Sequence, residues 1–117
     1  MFRKIIFYES VEGKKPIRRF LDELNSKQAA KVTWTLQLVE ELEIIPSKYF
    51  KKLVNTDDLW EVRVSYSNNI FRLLSFYDGA KLVVITHAFQ KKSQKTPKQA
   101  IEIAEKRKKD YFRRKNE

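Results

Sequence analysis

Cysteine is absent from the 117 residues, and histidine occurs once. Without thiols there is no disulfide scaffold, no thiol nucleophile and no zinc site built on thiolates. A single histidine excludes catalysis by a histidine pair and leaves little from which to assemble a metal site. Glycine (2) and proline (3) are scarce, and no linker, internal repeat or low-complexity tract divides the chain. No apolar run approaches the roughly 20 residues of a membrane span. The opening Met1-Phe2-Arg3-Lys4-Ile5-Ile6-Phe7 is too short and too soon interrupted by charge for a signal peptide. A cytoplasmic protein with no membrane role and no bound cofactor is expected.

What is present fits one domain over residues 1–117. Hydrophobic residues make up 42% and aromatics 13%, too apolar for a disordered chain and enough for a single modest core. Charge is abundant and lopsided. Residues 1–45 carry 8 basic and 7 acidic side chains, whereas residues 46–117 carry 17 and 8. Nearly all of the +10 excess therefore lies in the second part of the chain. Such asymmetry points to a polyanionic partner, nucleic acid first and an acidic protein second.

Residues 2–8 read as a strand. Gly13 marks a loop and Pro16 suits a helix start. Ile17, Phe20, Leu21 and Leu24 then make an apolar stripe at helical spacing. Ser26 is read as the cap of a second helix that carries Ala29, Val32, Leu36 and Val39 and stops before Pro46. Trp60, Val62, Val64 and Tyr66 alternate with Glu61, Arg63 and Ser65, as in a half-buried strand. A turn at Ser67-Asn68-Asn69, a strand from Ile70 to Tyr77, a tight turn at Asp78-Gly79 and a strand from Lys81 to Phe89 complete a meander. The run Leu82-Val83-Val84-Ile85 suggests that the last of these is central. Thr96 as N-cap, Pro97 and Gln99 predict a capped final helix to about Arg114, with Glu102/Lys106 and Glu105/Lys109 as favourable pairs. The expected fold is α+β in the order β-α-α-β-β-β-α, an antiparallel-rich sheet with two N-terminal helices and a C-terminal helix.

Three segments carry a family resemblance. Leu59-Trp60-Glu61-Val62-Arg63, then Phe71-Arg72-Leu73-Leu74-Ser75-Phe76, then His87-Ala88-Phe89-Gln90-Lys91-Lys92-Ser93-Gln94-Lys95-Thr96-Pro97 resemble the HigB-type toxins. These belong to the RelE/ParE superfamily of toxin–antitoxin systems, in its phage-derived host-inhibition branch. The Lys-Lys…Lys-Thr-Pro segment is the specific part, and the likeness in length and element order spans the chain. The resemblance implies a small RelE-like fold with two helices across one side of the sheet. It also implies a translation-inhibiting toxin that cleaves mRNA in the ribosomal A site without a metal. The partners implied are the ribosome, mRNA and a cognate antitoxin of the HigA kind. That antitoxin carries a helix-turn-helix, and operator DNA is reached through it alone.

Cleaving RNA at a phosphodiester requires a proton to leave the 2′-OH, an anionic phosphorane to be stabilised and the leaving 5′-oxygen to be protonated. Cations fixed at the phosphate do the second. A metal needs clustered carboxylates, and the acids of the basic section, Asp57, Asp58, Glu61 and Asp78, are scattered. Arg72 lies on a strand face otherwise lined by Leu74 and Phe76, where a guanidinium either clamps a phosphate or pairs with Glu61. Arg63 is a companion cation or a solvated strand-face residue. Lys91, Lys92 and Lys95 sit in a stretch with no acid from 89 to 100, an RNA-binding loop or a solvated one. His87 is an acid–base candidate because histidine titrates near neutrality, or else a structural residue. Phe89 is a possible stacking surface for a base, or core. Taken with the resemblance, catalytic roles are expected of Arg72, Lys92, Arg63 and His87, and RNA binding of Lys91, Lys95 and Phe89. The competing functions are a ParE-like toxin of DNA gyrase and a basic adaptor that binds RNA or ribosomes without cutting.

Overall fold

The computed structural model describes residues 1–92 and 96–117. The predicted RNA-binding Lys95 lies outside the described residues. The elements are β1 (Lys4–Phe7), α1 (Pro16–Asp22), α2 (Ser26–Glu41), β2 (Phe50–Lys52), β3 (Trp60–Tyr66), β4 (Asn69–Asp78), β5 (Leu82–Gln90) and α3 (Lys98–Lys115). The order is therefore β-α-α-β-β-β-β-α, with one strand more than the sequence pattern predicts. The addition, β2, has three residues, two of them exposed lysines, and carries too little alternation to be recognised alone. It joins the edge of the sheet through pairing with β3. Its lysines also suit an edge that must not recruit another strand.

The strands lie in the order β1-β5-β4-β3-β2. β1 runs parallel to β5, and the other neighbours are antiparallel. β5 is interior, as its apolar run suggests, but the middle place belongs to β4. Alternation gives the sheet two apolar faces. On one face Val62, Val64, Phe71, Leu73, Val83 and Ile85 are buried beneath Ile17 of α1 and Val32, Leu36 and Val39 of α2. On the other, Leu59, Leu74, Phe76 and Val84 meet Ala100 and Ala104 of α3. Each aliphatic side chain so covered contributes roughly 1.5–3 kcal/mol. The small alanines let the α3 backbone lie close to the strands.

Three local features differ from the sequence expectation, each for a physical reason. Asn25, not Ser26, caps α2: its side chain accepts from Gln28 N at 2.8 Å, while Gln28 Oε1 accepts from Asn25 N at 3.1 Å. Thr96 does not cap α3; the N-cap is Pro97 and no side chain bonds the helix start. The Thr96 hydroxyl goes to Glu61 instead. Glu105 accepts from the backbone N–H of Asp57 in the β2–β3 loop at 2.9 Å, and no ion pair with Lys109 is found among the described residues. A β-bulge also interrupts the β4–β5 ladder, with Leu74 opposite His87 but Ser75 opposite Ile85, so Thr86 is the extra residue. The bulge keeps His87 on the same face as Val84 and turns the Thr86 carbonyl to Arg107 Nη1, 2.7 Å away. No helix among the described residues is long and apolar enough to cross a membrane.

Candidate active site

Antiparallel register places Arg63, Arg72 and Phe89 in one row across β3, β4 and β5. Glu61, Leu74 and His87 form the next row. Both rows lie on the α3 face, and the arginine row lies toward the end of the sheet where the β5–α3 segment leaves. Glu61 is wholly buried and Arg72 is 9% exposed.

One carboxylate organises the group. Glu61 Oε1 lies 3.0 Å from Arg63 Nε and 3.3 Å from Arg72 Nε. Glu61 Oε2 accepts from the Thr96 hydroxyl at 2.5 Å. A charge buried this deeply is tolerable only with such partners. The two arginines are not equally satisfied. Arg63 makes an aligned hydrogen bond to Glu61. Arg72 Nε is close to Glu61 but poorly aligned, and among the described residues it is buried without a hydrogen-bond partner. Arg72 Nη1 reaches only the Phe71 carbonyl, at 3.3 Å. Arg72 is thus held by charge and packing, and among the described residues most of its five N–H groups have no partner.

Electrostatics mark the same place. Burial lowers the Arg72 pKa, Glu61 opposes that shift, and the neighbouring Arg63 charge adds to it. Lys91 follows β5, its backbone N–H bonded to the Ile70 carbonyl at 2.7 Å. Burial lowers its ammonium pKa, the Arg72 charge lowers it further, and Glu61 offsets part. Three cations therefore share one carboxylate, and the excess positive charge is available to an anion. Lys92 is exposed beside them.

Of the residues singled out in the sequence, Arg63, Arg72, Lys91 and Phe89 come together, with Lys92 at the margin. His87 stands apart from the Glu61 group. Its ring stacks on Phe89 at 5.7 Å and 28°. Burial, then the Arg107 charge, pushes its pKa down to about 4. It is neutral near pH 7 and faces a cleft between α1 and α3. Two residues of the local architecture carry no site role in the sequence reading, Thr96 and Arg107. Thr96 had a sufficient explanation as a helix cap, and Arg107 is hidden in a run of seven basic residues between 106 and 115. That run is partly neutralised: Lys115 pairs with Asp78 at 2.7 Å, and Arg113 and Arg114 with Asp110 at 2.6 and 3.0 Å. Among the described residues no three His, Asp or Glu side chains are grouped as metal ligands.

The pattern of phage-derived Gp49-like proteins matches residues 19–109, which include every member of this group, and the chain belongs to that family. Within it the chain is HigB-like. It is 35% identical over 109 residues to the protein named Probable endoribonuclease HigB1 of Mycobacterium tuberculosis, in strains CDC 1551 / Oshkosh and H37Rv, with 92% of this chain and 82% of the relative covered.

Proposed function

We propose that this chain is the toxin of a type II toxin–antitoxin pair and an endoribonuclease that cuts mRNA on the ribosome without a metal ion. The observation that carries the reading is Arg72, nearly buried, anchored by a carboxylate it shares with Arg63, and with most of its N–H groups unpartnered among the described residues. A planar guanidinium so placed suits two oxygens of a phosphodiester. In the reaction the 2′-oxygen bonds to phosphorus and its proton leaves. The P–O5′ bond then breaks and the 5′-oxygen gains a proton, leaving a cyclic phosphate. Arg72 and Arg63 stabilise the phosphorane, where charge is greatest. Lys91, its pKa lowered by burial and by Arg72, suits proton transfer better than an ordinary lysine does. Lys92 adds charge on the open side.

His87 fits this chemistry poorly as an acid, because it is already neutral near pH 7. The name of the mycobacterial relative supports RNA as substrate, and HigB likeness supports a cognate antitoxin with a helix-turn-helix as partner. A toxin that cuts message on translating ribosomes would act in the cytoplasm. Primer extension on a message in a cell-free translation system, with and without ribosomes, tests the proposal. Cuts confined to translated message and unaffected by a chelator of free divalent ions beyond the ribosome's own need support it. Uncut message with continued translation overturns it.

A further inference from the structure

Arg107 repeats, away from Glu61, the condition of Arg72. Its guanidinium is half-buried, and Nη1 donates to the carbonyl of the bulged Thr86 at 2.7 Å. Asp110 of α3 lines the same cleft as Arg107 but is paired with Arg113 and Arg114. Burial lowers the Arg107 pKa, Tyr8 offsets part of that shift, and no carboxylate among the described residues does. A half-buried cation without a carboxylate is a place prepared for an anion.

The fold makes room in front of it. β1 ends at Phe7, opposite Ile85, so the rest of β5 has no strand on that side. α1 and α3 flank this open edge and leave a cleft of about 900 Å³. Five basic residues line it against Glu12, Glu23 and Asp110, the last already paired. The volume is at the upper end of the roughly 300–1,000 Å³ typical of small-molecule sites. β5 joins this cleft to the arginine row. Phe89 stands opposite Arg72, His87 stacks on Phe89, and His87 lines the cleft.

We infer that the cleft is a second nucleotide subsite: Arg107, with Lys106 and Arg19 at the rim, binds the phosphate of a nucleotide neighbouring the cut, and the His87–Phe89 pair receives its base. The inference rests on the RNA-cleaving reading of the Arg72 group. Single-stranded RNA is favoured over an acidic peptide because the wall is aromatic as well as basic, and bases stack on such side chains. A neutral imidazole beside Arg107 stacks without adding charge repulsion.

His87 is the chain's one histidine, so its imidazole proton signals report on the cleft without ambiguity. The probe is a trinucleotide with 2′-O-methyl riboses, which cannot be cut, titrated at pH 7 and followed by proton NMR. The His87 signals are expected to move saturably in the wild type and still to move in Arg72→Ala. Arg19 and Lys106 are exposed, so the double variant Arg19→Ala/Lys106→Ala should fold and bind roughly tenfold more weakly, as befits lost charge-assisted contacts. Arg107→Lys keeps the charge but loses the fork, and should weaken binding as well. Stationary His87 signals, or wild-type affinity in the double variant, overturn the inference. A glutamate-rich peptide that moves His87 at lower concentration than the trinucleotide also overturns it and assigns the cleft to an acidic protein. The two readings fail separately. Cut message with a stationary His87 removes the subsite alone, and a responsive His87 with uncut message removes the nuclease alone.

Discussion

Thr96 and Glu61, 35 positions apart, are joined by a 2.5 Å hydrogen bond that ties the segment after β5 to the carboxylate holding Arg63 and Arg72. One oxygen of Glu61 serves the arginines and the other serves Thr96, so the hydroxyl fixes the rotation of the carboxylate. Thr96→Val keeps the shape and removes the donor. It should lower stability to urea by about 1–2 kcal/mol. It should also slow cleavage roughly tenfold to a hundredfold, as small misplacements of catalytic groups do. Thr96→Ser should restore both. Wild-type cleavage by Thr96→Val contradicts this role.

Removing the carboxylate has a larger effect. Glu61→Ala leaves Arg72 buried beside Arg63 with no counter-charge, and breaking a buried pair in this way costs about 3–5 kcal/mol. Urea denaturation should show that loss. In Glu61→Ala/Arg72→Met no unpaired buried guanidinium remains, and much of the stability should return. Arg63, partly exposed, matters less to the fold, and Arg63→Ala should cost about 1 kcal/mol or less. A Glu61→Ala protein as stable as the wild type contradicts the arrangement.

The pH dependence of stability carries a histidine signature. His87 has its pKa lowered from 6.5 to about 4 by burial and by Arg107. Between those values the unfolded chain binds a proton that the folded one does not. Stability should therefore fall as pH drops from 6.5 to 4, then level off for this group, by a total of about 3 kcal/mol. His87→Gln should flatten that window. Asp78, held low by its bonds to Lys115 and Tyr111, and Asp110, held low by Tyr8, act at lower pH, where protonation removes their contribution. NMR titration of the single histidine checks the central value directly, and a midpoint near 6.5 contradicts it.

Much of this arrangement is legible in the sequence because it rests on local rules. Alternation through Trp60–Tyr66 and the Asp78-Gly79 turn suffice to place β3, β4 and β5, and with them Arg63 and Arg72 on one face, whereas Phe89 joins that face only through the bulge at Thr86. The same rules mislead where a distant partner competes. Thr96 before Pro97 satisfies the pattern for a helix cap, yet a buried Glu61 needs a donor, and that need is visible only once β3 and the start of α3 are adjacent. The bulge at Thr86 and the parallel pairing of β1 with β5 are tertiary facts, so the cleft beside Arg107 has no sequence signature. β2 is too short to show a period. His87 reads as a titrating residue because its burial cannot be seen in a strand end.

In the proposed reaction Arg72 acts through the geometry of its guanidinium and not through its charge alone. The measurement that tests it most directly is the rate of message cleavage on translating ribosomes by Arg72→Lys beside the wild type, with folding of both checked by urea denaturation. A folded Arg72→Lys protein should cut about a hundredfold or more slowly, the size of effect expected when a transition-state donor pair is lost. Cleavage by folded Arg72→Lys at the wild-type rate contradicts it.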